Sequence, residues 1–366
     1  MMLFTAYLKT AIFIFALLIF SCKQAPKDEK NALMNAVISD EGAKVAELLA
    51  KGADVNQKNI AKATPLDKAA ENGDPKLVEQ LIHAGADINT RQWAGETPLY
   101  IAAESDRNDA AKALIKAGAD VNKPDYLGSS PLHAAVSNSA HAVIKTLIEN
   151  KADINMKDAF GQTPLHIGAR EDQLGAIDIL LSANANVNSQ KKGSLETPLH
   201  TAAAFGKEGA LKLLLKGKSN IESKDVTGKT PLHYAAEKGH EKIIKILVEH
   251  HADMNAVDNI GNTPLHEAAR FGHVKSIKAL CKRGSRVNQK NLAQETPLIL
   301  ATESRIKDAV EMLLDYGADS KSTDLKGNSA ESIAKKLGLT EISKAFNQNQ
   351  KLSLWQKLMR IFKGQK

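Results

Sequence analysis

Five histidines return at a fixed stride, and imidazole is the side chain best suited to hold a metal or pass a proton near neutral pH. His133, His166, His200, His233 and His266 each follow a Thr-Pro-Leu or Ser-Pro-Leu triplet. The step is 33 residues, or 34 between His166 and His200. Equivalent residues of stacked helical units lie roughly 10 Å apart, the packing distance of helices. Zinc holds nitrogen at about 2 Å. These rings cannot share one ion, so the spacing predicts a structural role, hydrogen bonding to a neighbouring turn. His240 and His273, each after glycine and one stride apart, fail as a joint site by the same geometry. The pair His250-His251 at a helix end makes at most a weak surface metal site. The chain has no phosphate-cradling glycine loop, HExxH sequence or nucleophile elbow. The residues therefore assign no catalytic group, no metal ligand and no cofactor.

The elements that carry these histidines are copies of one unit. Thr-Pro-Leu-His stands intact from Thr163, Thr197, Thr230 and Thr263, with variants from Thr64, Thr97, Ser130 and Thr296. A period in this range means a supersecondary unit repeated many times. Thr163 can cap a helix, and Pro164 at the first helical position loses no hydrogen bond. A short Ala-rich helix follows. A second helix then places Ile177, Leu180 and Leu181 at i, i+3 and i+4 on one apolar face. Segments such as Gly85-Ala86-Asp87-Ile88-Asn89 and Gly118-Ala119-Asp120-Val121-Asn122 end that helix, with glycine suited to a left-handed turn. A helix pair this small buries its apolar face only against its neighbours.

Period, Thr-Pro-Leu-His, paired alanines, Leu-Leu and Gly-Ala-Asp-Val-Asn together resemble the ankyrin repeat. The resemblance implies an all-α solenoid of about ten helix-turn-helix units with short β-hairpin or turn fingers. Units are expected to start near residues 31, 64, 97, 130, 163, 197, 230, 263, 296 and 329, with degenerate capping units at both ends. The repeats would span 31–344, followed by a basic amphipathic helix over 345–366.

The resemblance also implies a protein-binding module, not an enzyme, that meets partners through its finger tips and the concave face of its first helices. Counting four and three residues before each repeat threonine or serine gives Trp93, Tyr126, Leu127, Phe160, Val226 and Ile260, and Leu292 and Leu325 continue the row. The end of the first helix adds Arg170, Phe205 and Phe271. Only 4% of the chain is aromatic, so aromatic residues gathered at exposed positions point to recognition. Trp93, Tyr126, Leu127, Phe160, Arg170, Phe205, Ile260 and Phe271 are the expected partner contacts. The longer linker Ser189–Glu196 is expected to form a basic finger. Lys151, Asn184, Lys218 and His251 replace the helix-ending glycine in consecutive central units, which predicts a middle that opens more readily than the first units.

The formal net charge is +7. Lys9 in the leader and Lys351, Lys357, Arg360, Lys363 and Lys366 in the tail account for most of it. Without those six, 43 basic residues face 42 acids. Counts alone show no basic face for nucleic acid, and the expected partner is a protein met by a monomer.

Residues 1–21 read as a secretory signal: Lys9 precedes the apolar run Ala11–Phe20. Ile19-Phe20-Ser21-Cys22 resembles a bacterial lipobox, although Phe20 is larger than the residue usual there. The resemblance implies lipidation of Cys22, a linker over 22–30 and a chain anchored at a bacterial cell envelope, facing the periplasm or exposed at the surface. An uncleaved signal anchor or an ordinary cleaved signal are the other readings. Membrane contact would come through the lipid, with the tail helix as a second contact or as a cap on the last repeat. Two further functions fit the same features: a regulatory subunit masking an envelope enzyme or toxin, or an effector acting on host proteins. Cys281 stands where other units have the second leucine and reads as a small core residue.

Overall fold

Each repeat begins with a cap that the local sequence dictates. Thr64, Thr97, Ser130, Thr163, Thr197, Thr230, Thr263 and Thr296 all hold extended backbone, and proline takes the first helical position after each. The following leucine is fully buried, as at Leu66, Leu132 and Leu199. Extended cap, preset proline and buried leucine fix where the helix starts and which side turns inward.

The computed structural model describes residues 31–351, which form two compact units divided after Asp125. The first contains helices α1 (Ala32–Ile38), α2 (Gly42–Ala50), α3 (Pro65–Asn72), α4 (Pro75–His83), α5 (Pro98–Glu104) and α6 (Asn108–Lys116). The second contains α7 (Pro131–Ser137), α8 (His141–Glu149), α9 (Pro164–Glu171), α10 (Leu174–Ser182), α11 (Pro198–Ala204), α12 (Glu208–Lys216) and α13 (Pro231–Glu237). It continues with α14 (Glu241–Glu249), α15 (Pro264–Arg270), α16 (Val274–Lys282), α17 (Pro297–Glu303), α18 (Lys307–Asp315), α19 (Ala330–Lys336) and α20 (Thr340–Lys351). Odd-numbered helices are the first helix of a repeat and even-numbered ones the second. Within the second unit, first helices pack on first helices and second on second along the series. The last helix runs past the expected boundary at residue 344. The leader, Cys22, the linker and most of the expected tail helix lie outside the described residues. No described helix is long and apolar enough to cross a membrane.

The core is thin and aliphatic. Leu77, Leu81, Leu114, Ile144, Ile177 and Leu180 are fully buried, with alanines such as Ala102, Ala135 and Ala202 letting helix backbones approach. The asparagine ending Gly-Ala-Asp-Val-Asn joins neighbouring repeats. The backbone N–H of Asp87 donates to Asn56 Oδ1 at 2.8 Å in the first unit, and that of Asn186 to Asn155 Oδ1 at 2.8 Å in the second.

Of the two forms expected for the fingers, β-hairpin or turn, the described residues form turns. Among the described residues the one β contact outside helices is an isolated bridge between Thr323 and Ser329. In the finger at Asp158, the carboxylate oxygen Oδ1 accepts the N–H groups of Phe160 (2.9 Å) and Gln162 (2.8 Å). A side chain that takes up the turn's donors competes with strand pairing.

Candidate interaction surfaces

The repeated histidines sit at the base of the fingers, and their bonding fixes their chemistry. In His200, Nδ1 receives the backbone N–H of Thr197 at 3.1 Å, and Nε2 lies 3.1 Å from the Lys229 carbonyl. A backbone N–H can only donate, so Nδ1 is the acceptor and the proton sits on Nε2, which donates to the carbonyl. The same pattern holds for His133 with Gln162, His166 with Glu196, His233 with Asn262 and His266 with Glu295, at 3.0–3.1 Å. Each neutral ring ties its helix cap to the next finger. Both nitrogens are engaged, so no lone pair is left for a metal. Burial holds three of these imidazoles far below their usual pKa of 6.5, to about 3 for His166 and about 4 for His233 and His266, and it lowers His200 as well.

His240 and His273 do a parallel task at the helix turn. Their Nε2 atoms lie 3.1 Å from the Ala204 carbonyl and 2.8 Å from the Glu237 carbonyl. The ring of His273 closes over Gly239, where a Cβ would stand 2.6 Å from Nδ1.

The first unit departs from this scheme at Asp67, which fills the histidine position. Oδ2 accepts the Thr64 N–H at 2.7 Å and the Thr64 hydroxyl at 3.0 Å. Oδ1 is buried without a partner. Burial pushes the carboxyl up to about 6 despite the bonds from Thr64. The tetrapeptide pattern marked the position but not this consequence.

The second unit also holds a polar cluster that sequence reasoning missed. Tyr234 donates to Asp225 Oδ2 at 2.8 Å and stands 3.2 Å from Glu196 Oε1. Burial and these two carboxylates raise its pKa strongly. Lys229 pairs with Glu237 at 2.7 Å and Glu267 at 3.4 Å; burial alone would lower its pKa, but the two carboxylates raise it on balance. The periodic offset of these residues from the repeat threonine was the available signal.

The expected tip residues stand in solvent. Relative exposure is 74% for Trp93, 63% for Tyr126, 57% for Leu127, 55% for Phe160 and 54% for Ile260. Val226, Leu292 and Leu325 are also exposed, as is Ile60, which the same offset from Thr64 would have found. In the first unit the Trp93 N–H donates to the Ala61 carbonyl at 3.1 Å. In the second, Ala159 N–H bonds to Leu127 O (2.8 Å), Asn259 to Thr227 (2.9 Å) and Leu292 to Ile260 (3.0 Å). These backbone links hold neighbouring tips together while the side chains project. Phe205 and Phe271 are half exposed at the helix turns, and Phe271 stacks on His273 with centroids 6.3 Å apart. Arg170 is tethered, with Nε on Glu171 at 2.8 Å and a terminal nitrogen on Gln162 at 3.3 Å.

The family model described as ankyrin repeats (3 copies) matches in overlapping windows: residues 2–92, 33–125, 66–158, 125–191, 165–258, 199–291 and 250–324. The chain belongs to the ankyrin-repeat family. Ankyrin repeats are protein-interaction modules, and this ankyrin-repeat protein carries them over most of its length. Among solved structures it is similar to the human ASB11 ankyrin repeat domain, with TM-score 0.54 and 24% identity over 63% of this chain and 99% of that one. That likeness is one of fold. No curated protein matches the chain significantly.

Proposed function

We propose that this ankyrin-repeat protein binds a protein partner through the apolar finger tips of its second unit, without turnover and without a cofactor. The observation behind this reading is the series Tyr126, Leu127, Phe160, Val226, Ile260 and Leu292, all exposed and held by a linked backbone. Rigid aromatic and aliphatic anchors lose little entropy on binding and dominate interface energies. Trp93 offers a separate contact on the first unit. The apolar run before Cys22 supports presentation at a bacterial cell envelope through a lipid on that cysteine.

Affinity capture from membranes tests the partner surface. Tyr126→Ala with Phe160→Ala should weaken the captured complex at least about tenfold, the loss of one hot-spot residue or more, with circular dichroism unchanged. Equal capture by the double variant would reject the reading. Incorporation of radiolabelled palmitate, abolished by Cys22→Ser, tests the anchor separately.

A further inference from the structure

The near balance of charge over the repeats hides a local excess. Second helices α12, α14 and α16 pack side by side. Each buries one side, through Ala210, Leu211 and Leu214, through Ile243, Ile244 and Leu247, and through Ile277 and Leu280. The outward side is rich in lysine. Lys212, Lys245 and Lys278 occupy one repeat position and form a row across three helices, spaced by roughly the 10 Å of helix packing.

Three carboxylates share this face, and each is taken. Glu208 pairs with Lys242 at 3.1 Å, Glu241 with Lys245, and Glu249 with Arg283 at 3.4 Å. Lys212, Lys216, Lys218, Lys275, Lys278 and Lys282 have no carboxylate within ion-pair distance among the described residues. The patch has edges. Asp178 takes the row position on α10, and Glu311 takes it on α18 beside Asp308 and Asp315.

We propose that the lysine face of α12, α14 and α16 rests on an anionic phospholipid bilayer. The charge is spread over the outward sides of three neighbouring helices. None of the three helices contains an aromatic residue on which a nucleobase could stack. The apolar residues beside the lysines, Leu213, Leu215, Val248 and Val274, are half-buried and none is fully exposed, so the face lacks the projecting apolar anchors a protein partner would grip. Lysines on flexible stems suit diffuse negative charge, and each one near an anionic surface contributes about fivefold in partition. The proposal uses a different face from the finger tips and stands apart from the reading of their partner.

The test is flotation of the full chain with phosphatidylcholine vesicles, with and without about a third phosphatidylglycerol. The readout is the ratio of anionic to neutral binding, to which the leader and tail contribute equally in every variant. Glutamine at Lys212, Lys216, Lys218, Lys275, Lys278 and Lys282 should lower this ratio by more than about tenfold. Glutamine at as many exposed lysines elsewhere, Lys58, Lys62 and Lys116 among them, should leave it within about twofold. Should the sixfold variant fail to fold, Lys212→Gln with Lys278→Gln serves, with an expected loss of more than about fivefold. An unchanged ratio in the face variant overturns the proposal. So does binding of a nucleic-acid duplex through the same lysines without binding of vesicles.

Discussion

Acidification from pH 7 to pH 5 should loosen the second unit through its neutral histidines. The folded-state values of about 3 for His166 and about 4 for His233 and His266 lie below the unfolded 6.5, so between them the unfolded chain binds more protons. The stabilisation from each ring is complete above pH 6.5 and is lost as pH falls from there toward the folded value. At pH 5 an unfolded histidine is almost fully protonated and a folded one is not. The difference from pH 7 is about 2 kcal/mol per ring, and about 6 kcal/mol for the three if the unit opens as one. His200, lowered for the same reason, acts in the same direction. Amide hydrogen exchange read by mass spectrometry, corrected for intrinsic rates, would follow peptides from α9 to α17 at both pH values. Protection in those helices should fall by orders of magnitude. Protection at pH 5 equal to that at pH 7 would refute the assignment of buried, uncharged imidazoles bridging cap and finger.

The first unit should respond in the opposite sense. Asp67 has a folded value raised to about 6 against 3.8, so its stabilisation is complete below pH 3.8 and is lost as pH rises through 6. Asp67→Asn keeps the acceptor for Thr64 and supplies an N–H in place of the unpartnered oxygen. It should raise stability at pH 7 by about 1–3 kcal/mol and flatten the pH dependence of urea unfolding in that unit; a loss of stability would contradict the account. Lys151 and His251 hold φ of 66° in the left-handed region. Glycine at either should stabilise by about 1 kcal/mol, measured as a shift in urea midpoint at constant slope. The Cys281 thiol, pushed up to about 12 by burial, should resist iodoacetamide in the native protein at pH 8 and react on unfolding; rapid native labelling would place it nearer the surface than its 8% exposure.

Much of the architecture was written in short-range chemistry. Thr163-Pro164-Leu165-His166 specifies a cap, a first turn and a core contact within four residues, so the helix starts could be read directly. Trp93 and Phe160 were legible as tips because they fall four and three residues before a repeat threonine. Other features depend on partners far along the chain. The carbonyl that receives His200 belongs to Lys229, and no local rule names it. The repeat continues through Ser130 without a break, so its period gave no sign of the division after Asp125. The pattern leaves open whether the fingers are hairpins or turns; Asp158 decides for a turn by spending the donors of Phe160 and Gln162 on its carboxylate. Arg170 read as an open anchor because its ties to Gln162 and Glu171 follow from side-chain direction, which spacing does not show. The lysine face escaped the charge count because totals carry no geometry.

The finger between His166 and Glu196 holds one residue more than its neighbours, yet its ring-to-carbonyl distance is 3.1 Å, the same as in the shorter ones. The surplus is absorbed at the tip, where Gly193 and Leu195 take positive φ. Spacing between repeats is thus set at the root of each loop, and the outer end is left to vary in length. Foreign peptides spliced between Lys192 and Gly193 leave Ser194, whose carbonyl receives the Val226 N–H at 2.9 Å, and Glu196, whose carbonyl receives His166, together on one side of the insertion, which makes that loop a natural point for grafting epitopes or tags.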